Sequence, residues 1–241
     1  MKKAKKSLSQ NFLIDKNICK KIIKQTNLIN KIVVEIGPGK GALTDYIINE
    51  KPKKIILIEK DNNLYRDLKE KYKSITNLKI YNDDILNFKF NNYNNLIFIS
   101  NLPYNISTKV ILYLFNYSKN IDQMIFMLQK EVAEKFDYNI KKMNKYKFFN
   151  KLICIYKRCF NISPVVFFPK PKVQSTLVKF KITKSIRDIN KAKNFSELIF
   201  KNKRKKINTK LKMDNEEITE ILDKRVDQIS IEELLFIYNF Y

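Results

Sequence analysis

Four consecutive residues, Asn101-Leu102-Pro103-Tyr104, have the types and order needed to hold a flat ring that carries an amino group. The Asn101 side-chain oxygen and the Leu102 carbonyl oxygen can accept both hydrogens of an exocyclic amine. Pro103 restricts the backbone so that this carbonyl faces the ring, and Tyr104 offers an aromatic surface for stacking. The amine of adenine is a poor nucleophile because its lone pair is delocalised. Two acceptors draw the nitrogen toward tetrahedral geometry, which frees the lone pair for attack on a methyl sulfonium.

The tetrapeptide fits the Asn/Asp-Pro-Pro-Tyr pattern with which methyltransferases hold an exocyclic amine, although Leu102 takes the second position. Taken alone, it could equally be a proline turn after a strand. It follows an apolar stretch, and it stands sixty residues after the last glycine of a glycine-rich turn. This combination favours the chemical interpretation.

The glycine-rich turn contains the only three glycines of the chain, Gly37, Gly39 and Gly41. Residues 32–34 before it are apolar, and residues 42–48 after it have a helical pattern. A strand, a tight turn and a helix start are therefore predicted, with backbone N–H groups facing a nucleotide-like ligand. The spacing is G-x-G-x-G and not the G-x-G-x-x-G of dinucleotide-binding folds, which disfavours a nicotinamide dehydrogenase. A tight turn without a ligand is the simpler alternative.

Polar side chains stand at the ends of four predicted strands: Glu35, Glu59, Asp84 and Asn101. The carboxyl ends of parallel strands meet at one edge of a sheet, and ligands of doubly wound folds bind there. A carboxylate such as Glu59 can accept hydrogen bonds from both ribose hydroxyls. We therefore expect these four side chains to converge on a site for an adenosine-containing cofactor.

Strand-like and helix-like stretches alternate between residues 32 and 136. This alternation predicts an α/β fold with a doubly wound, mostly parallel, seven-stranded sheet of the Rossmann-like type. The last two strands, 152–160 and 175–182, are predicted to be antiparallel. From about residue 183 the pattern is that of amphipathic helices. We expect two domains, a cofactor-binding domain over 1–182 and a small helical domain over 183–241.

Two connecting segments have a distinctive composition. Residues 137–150 are polar and rich in Lys and Asn, which predicts a flexible loop. Residues 163–172 contain three prolines among apolar side chains. Because proline restricts the backbone, this second segment is predicted to be a stiffened loop close to the ligand edge of the sheet.

Composition limits the chemistry and the location of the protein. There is no histidine, which excludes histidine-based acid–base catalysis and argues against a zinc site. The three cysteines have neither metal-ligand spacing nor a disulfide pattern. No stretch approaches the ~20 apolar residues of a membrane span, and no apolar signal core follows the basic residues 1–6. We therefore expect a soluble cytoplasmic protein without a bound metal.

The net charge of +24, from 48 basic and 24 acidic side chains, suits a polyanionic partner such as nucleic acid. Residues 201–212 carry seven basic side chains and no acidic one. We predict that this stretch forms a helix that contacts phosphates, the alternative being a merely solvated helix face.

Taken together, the motifs resemble the rRNA adenine N6,N6-dimethyltransferases, and most closely the bacterial small-subunit (16S) type that acts late in 30S assembly. The resemblance extends from about residue 5 to residue 212. It rests on seven stretches: 9–13, 35–44, 58–59, 84–86, 101–108, 127–132 and 167–175.

The resemblance implies S-adenosylmethionine as the cofactor and two methyl transfers to each of two adjacent adenosines near the 3′ end of small-subunit rRNA. It implies that the cofactor is bound by Asn11, Leu13, Glu35, Gly37, Gly39, Glu59, Asp84 and Asn101. The residues implied at the transfer point are Asn101, Leu102, Pro103 and Tyr104, with Phe168 as the second aromatic face of a clamp on the target base. By the same resemblance, Lys203, Arg204, Lys205 and Lys206 lie near the RNA. A monomer is sufficient for this chemistry.

Two alternatives stay open at this stage. A large-subunit (23S) rRNA dimethylase of the antibiotic-resistance type would share the fold and the chemistry, but Gly-Pro-Gly at 37–39 favours the small-subunit type. A catalytically idle ribosome assembly factor would keep the fold alone. The intact set of Glu59, Asp84, Asn101 and Tyr104 argues against the idle factor.

Overall fold

A computed structural model of the chain describes residues 11–140, 143–183, 188–213 and 215–241. The basic stretch 1–6 and the first two residues of the 9–13 motif, Ser9 and Gln10, lie outside the described residues.

Nine strands are found in the described residues. In chain order they are β1 (Phe12–Leu13), β2 (Ile32–Ile36), β3 (Lys54–Ile58), β4 (Leu78–Tyr81), β5 (Leu96–Asn101), β6 (Ile121–Gln129), β7 (Cys154–Ile162), β8 (Phe167–Phe168) and β9 (Ser175–Ile182). Seven of them form the main sheet in the order β4-β3-β2-β5-β6-β9-β7.

The first five strands of that order are parallel, and β9 runs antiparallel to both β6 and β7. This confirms the predicted doubly wound, mostly parallel sheet with two antiparallel strands. Successive residues point to opposite faces, so that Val33 and Ile55 belong to one buried cluster and Val34 and Ile56 to the other. Burial of both faces explains why these strands are continuously apolar.

Ten α-helices are found in the same residues. They are α1 (Lys16–Ile23), α2 (Thr44–Asn49), α3 (Asn62–Lys71), α4 (Ser107–Phe115), α5 (Lys130–Phe136), α6 (Lys145–Ile153), α7 (Ile189–Phe200), α8 (Asn208–Leu211), α9 (Thr219–Leu222) and α10 (Ile231–Phe240). Helices α2 to α5 follow parallel strands, which brings their amino ends to the edge of the sheet where those strands end.

The prediction of a flexible loop over 137–150 is wrong for its second half, which belongs to α6. The Asn144 side chain caps the helix by accepting two backbone N–H groups. Phe148 is fully buried, and its ring centroid lies 5.3 Å from that of Phe195 in α7. Tertiary packing of this apolar face therefore outweighs the polar composition of the segment.

The predicted helix over 201–212 is also wrong, because only Asn208–Leu211 is helical there. Helix α7 ends at Phe200, and Asn202 has a left-handed φ of 51°. The Ile207 N–H donates to the Lys224 carbonyl at 3.0 Å. The backbone of 202–207 therefore bonds to a neighbouring segment and cannot continue the helix.

The helices after residue 188 pack onto the same buried cluster as α4, α5 and α6. The aromatic rings of Phe195 and Tyr238 surround Phe148 in this contact. The division into two domains at residues 182 and 183 stays a prediction. No helix in the described part of the chain has the length and apolar character needed to cross a membrane.

Strands β1 and β8 form a second, two-stranded antiparallel sheet. Phe12 pairs with Phe168, Leu13 pairs with Phe167, and the Ile14 N–H donates to the Val166 carbonyl at 2.9 Å. We call Phe12–Ile14 together with 166–168 the ribbon. It joins the amino-terminal segment to the proline-containing loop.

Candidate active site

The ribbon and the carboxyl ends of β2, β3 and β5 enclose a cleft of about 490 Å³. Every residue predicted for the cofactor and for the transfer point lines this cleft: Asn11, Leu13, Glu35, Gly37, Gly39, Glu59, Asp84, Asn101, Leu102, Pro103, Tyr104 and Phe168. The structure therefore brings these side chains together. Their roles stay predictions.

All three glycines of the turn have left-handed backbone conformations, with φ of 60° at Gly37, 61° at Gly39 and 80° at Gly41. A Cβ at Gly39 would come within 3.0 Å of the Phe12 ring. A Cβ at Gly41 would come within 2.1 Å of the Tyr72 hydroxyl oxygen. The turn therefore needs glycine for its backbone and, at these two positions, for its packing as well.

Glu59 ends β3 with its carboxylate buried beneath the glycine turn. One oxygen accepts the Gly39 N–H at 3.2 Å and the other accepts the Asp61 N–H at 2.9 Å. Burial raises the pKa of the carboxyl, while these two hydrogen bonds oppose the shift. Each oxygen keeps a second lone-pair direction, which is the arrangement that two ribose hydroxyls require.

Asp84 presents a fixed carboxylate that also lines the cleft. It accepts hydrogen bonds from the Lys60 ammonium at 2.8 Å and from the Leu86 N–H at 3.0 Å. Partial burial raises the pKa of this carboxyl, but the Lys60 and Leu86 bonds outweigh it, so that the pKa is lowered overall. Asp84 therefore stays ionised and can accept a hydrogen bond from an adenine amine.

Glu35 is almost wholly buried at the end of β2. The Thr44 hydroxyl donates to its carboxyl at 2.6 Å. Burial raises the pKa of Glu35 to about 8, with the Asp45 and Glu59 carboxylates adding to the shift and Thr44 opposing it. The group is therefore mostly protonated near neutral pH in the protein without ligand.

Glu35→Gln is expected to remove a pH dependence of stability. Because the pKa of Glu35 is raised on folding, the native state holds a proton that the unfolded chain releases between about pH 5 and pH 8. The free energy of unfolding should fall across this range by up to about 1.4 kcal/mol per pH unit. Urea denaturation from pH 5 to pH 9 should show this fall in the unsubstituted protein and in an exposed control, Glu50→Gln. If the free energy of unfolding of Glu35→Gln falls with pH as steeply as that of the unsubstituted protein, Glu35 is not the group whose pKa is raised on folding.

The Asn101 side chain is fixed at the end of β5 with its oxygen available. Its amide nitrogen donates to the Asn11 backbone carbonyl at 2.8 Å, and only an NH₂ group can face a carbonyl in this way. Its Oδ1 atom is buried and has no hydrogen-bond partner among the described residues. A buried acceptor without a partner is costly, so this atom is the clearest sign that an N–H donor binds here.

Two aromatic side chains flank the same end of the cleft. The Tyr104 hydroxyl lies 2.7 Å from the Ser175 hydroxyl, which fixes the ring, and burial raises the pKa of Tyr104. Phe168 is 53% exposed, and its backbone is held by its pairing with Phe12. A flat base entering the cleft would find one half-buried and one exposed aromatic surface.

The four basic residues predicted to bind RNA do not line this cleft. Lys203, Arg204 and Lys205 are exposed in the turn that follows α7. The Lys206 ammonium is 2.9 Å from the Asp223 carboxylate, so part of its charge is already neutralised.

Sequence reasoning missed three contributors to the site. They are the Phe12 ring on Gly39, the Lys60 partner of Asp84 and the Ser175 partner of Tyr104. Phe12, Lys60 and Ser175 each stand in or beside a recognised motif. Their contacts depend on the folded chain, and only Phe12 carried a signal, as a large apolar residue before any predicted strand.

The residues present fit S-adenosylmethionine. The glycine turn lets a ligand approach the backbone closely, and Glu59 and Asp84 are acceptors for ribose and adenine. Asn101 lines the same cleft, and its Oδ1 has no hydrogen-bond partner among the described residues. The described residues hold no group of three or more Cys, Asp or Glu side chains with the geometry of a metal site.

Comparison with known sequences decides the family. A family model described as ribosomal RNA adenine dimethylase matches residues 1–241. The chain belongs to this family. Membership in the ribosomal RNA adenine dimethylase family confirms the resemblance, the methyltransferase class and the use of S-adenosylmethionine that the motifs predict.

Individual relatives agree with the family assignment. Ribosomal RNA small subunit methyltransferase A of Pelagibacter ubique (strain HTCC1062) is 39% identical over 214 residues, 85% of this chain and 81% of the relative. Among solved structures, a dimethyladenosine transferase from Plasmodium falciparum has a TM-score of 0.79 at 24% identity, covering 95% of this chain and 98% of that one. The 23S rRNA methyltransferase ErmE has a TM-score of 0.77 at 20% identity, with the same coverage. Both structural likenesses establish the shared fold.

Proposed function

We propose that this protein dimethylates the N6 amines of two adjacent adenosines near the 3′ end of small-subunit rRNA, late in small-subunit assembly. The observation that carries the proposal is the buried, unpartnered Asn101 Oδ1 at the end of a cleft lined by Glu59 and Asp84. The 39% identical relative bears the name of a small-subunit rRNA methyltransferase, which supports this substrate over large-subunit RNA.

Glu59 and Asp84 hold the nucleoside part of the cofactor, and the glycine turn with Asn11 and Leu13 covers the rest. When bound, S-adenosylmethionine supplies an electrophilic methyl group on a positively charged sulfur. The residues that hold it are carboxylates and backbone groups, consistent with a cationic, hydrogen-bonding molecule.

Asn101 and Leu102 prepare the adenine amine for attack. The Asn101 Oδ1 and the Leu102 carbonyl each accept one N–H, which withdraws the nitrogen lone pair from the ring and directs it into the cleft. The neighbouring carbonyls of Pro103 and Tyr104 accept the Ile106 N–H and the Ser107 hydroxyl in the turn that begins α4. Tyr104 and Phe168 hold the base that has left its stack.

The reaction does not require a general base, which suits a chain without histidine. The amine becomes cationic only as it gains the methyl group, and it is then acidic enough to lose a proton to water. In the second transfer the amine carries one methyl group and one N–H. A single acceptor, Asn101 Oδ1 or the Leu102 carbonyl, is then sufficient to orient it.

Lys203, Arg204 and Lys205 are proposed to contact RNA phosphates outside the cleft. Replacing all three with Gln should reduce the slope of log K against log salt for binding to small-subunit particles by about two to three. Lys206 is left unchanged because of its ion pair with Asp223. The matched control replaces the exposed Lys51, Lys53 and Lys69 with Gln. If the two triple variants have equal slopes of log K against log salt, the 203–205 turn is only a solvated surface and does not contact RNA phosphates.

The cleft of a single chain holds every residue proposed to bind the cofactor and the target base, so the proposed reaction needs no more than a monomer. Because the proposed substrate is rRNA in assembling ribosomes, we propose that the protein acts in the cytoplasm.

The deciding experiment measures methyl incorporation from labelled S-adenosylmethionine into unmethylated small-subunit particles and, separately, into large-subunit RNA. Nucleoside analysis should show N6,N6-dimethyladenosine in small-subunit RNA alone. Label in large-subunit RNA would indicate instead a large-subunit rRNA dimethylase of the antibiotic-resistance type. Cofactor binding without label in either RNA would support an idle assembly factor and overturn the proposal.

A further inference from the structure

The outward face of the ribbon presents large apolar side chains at the mouth of the cleft. Leu13 and Phe167 form one cross-strand pair and are both buried. Because side chains alternate along a strand, Phe12, Ile14 and Phe168 point to the opposite face. Ile14 is 60% exposed and Phe168 is 53% exposed, yet all three line the cleft.

This apolar face has a cationic border. The Lys40 ammonium lies 5.1 Å from the centre of the Phe12 ring. Lys16 and Lys170, each two residues along the chain from a member of the face, are exposed. An apolar surface edged by cations is complementary to a nucleotide, because the base can pack on the apolar side chains while the phosphates lie beside the lysines. It is less suited to an apolar protein segment.

During the proposed reaction, the base next to the target adenosine loses its stacking partner and can pack on an apolar surface. Extruding one adenosine for methylation leaves the next nucleotide without a stacking partner, which is unfavourable. The target base occupies the space between Tyr104 and Phe168, so its neighbour must lie just outside, at the mouth. The outward face of the ribbon is continuous with that space.

We propose that Ile14, with Phe12 beside it, is the platform on which the base next to the target adenosine packs during transfer. This inference rests on the proposed function. With two adjacent adenosines as substrates, the platform holds one while the other reacts.

The test compares Ile14→Ser with Ile155→Ser, a control isoleucine on β7 that is 59% exposed and does not line the cleft. With unmethylated small-subunit particles, Ile14→Ser should raise KM about fivefold or more while kcat changes less than twofold. Its Kd for S-adenosylmethionine and its Tm should equal those of the unsubstituted protein, because the side chain is exposed. Ile155→Ser should leave all four values unchanged.

A second variant separates base packing from a structural role. Ile14→Tyr offers a flat ring and should keep KM at or below that of the unsubstituted protein, which loss of a merely structural contact would not produce. The inference is overturned if Ile14→Ser keeps the KM of Ile155→Ser. It is also overturned if Ile14→Ser raises KM for particles but not for protein-free small-subunit RNA, since a ribosomal protein would then cover the face. If the unsubstituted protein makes no dimethyladenosine in either substrate, the proposed function fails instead.

Discussion

Asn101→Ala should lower kcat for methyl transfer to small-subunit particles about 10³-fold. The substitution removes the buried Oδ1 that is proposed to accept an amine hydrogen, and losing one preorganised polar contact of this kind typically costs 10²–10³-fold. It also removes the hydrogen bond to the Asn11 carbonyl, which loosens the amino-terminal segment. Single-turnover kinetics with labelled S-adenosylmethionine would measure the loss directly.

Cofactor affinity separates catalysis from folding in this experiment. The Kd for S-adenosylmethionine should weaken only a few-fold in Asn101→Ala, because Glu59 and Asp84 are unchanged. Asn63→Ala, in which an exposed asparagine of α3 is truncated, is the matched control and should keep the full rate. If Asn101→Ala retains more than a tenth of the single-turnover rate, Asn101 is not the residue that activates the amine.

Gly41→Ala should lower the free energy of unfolding by about 3 kcal/mol or more. Alanine at a φ of 80° is strained, and its Cβ would come within 2.1 Å of the Tyr72 hydroxyl oxygen. That hydroxyl donates to the Asp45 carboxylate at 2.6 Å, so it cannot move without losing a bond. Urea denaturation monitored by circular dichroism would measure the change.

Asn30→Ala isolates the backbone contribution to this loss. Asn30 has a φ of 58° and is exposed, so an alanine there meets the left-handed strain without the Tyr72 clash. Its cost should be about 1 kcal/mol. Equal losses for Asn30→Ala and Gly41→Ala would mean that the turn can move away from Tyr72.

The sequence predicted the sheet and the cleft because both depend on local signals. Continuous apolar stretches such as 55–58 can only be buried on both faces, and polar residues at strand ends must then meet at one edge. Glu59, Asp84 and Asn101 could therefore be placed together without knowing any contact between them.

The ribbon could not be predicted in this way. Each of its strands has two residues, and the paired Phe12 and Phe168 are far apart in the chain. No periodicity can be seen over so short a length. The bond from Asn101 to the Asn11 carbonyl was hidden for the same reason.

The errors at α6 and at 201–212 run in opposite directions, since a helix replaced a predicted loop in one segment and non-helical backbone replaced a predicted helix in the other. In α6 a polar composition concealed the buried Phe148, and tertiary packing produced a helix where a loop was predicted. In 201–212 a run of basic residues suggested a helix, but backbone bonding between Ile207 and Lys224 took its place. In both segments, contacts distant in sequence outweigh local preference.

The position of β9 has a consequence for synthesis of the chain. Among the strands of the described residues, β9 is the last to leave the ribosome, yet it lies between β6 and β7 in the sheet. Until it emerges, β6 is paired with β5 alone and has one open edge, and β7 has no partner in the main sheet, so a nascent chain exposes one open strand edge and one unpaired strand. Tyr104 also lacks its Ser175 partner until then. The active site is thus completed only after β9 has been made, and premature termination before β9 leaves an aggregation-prone fragment.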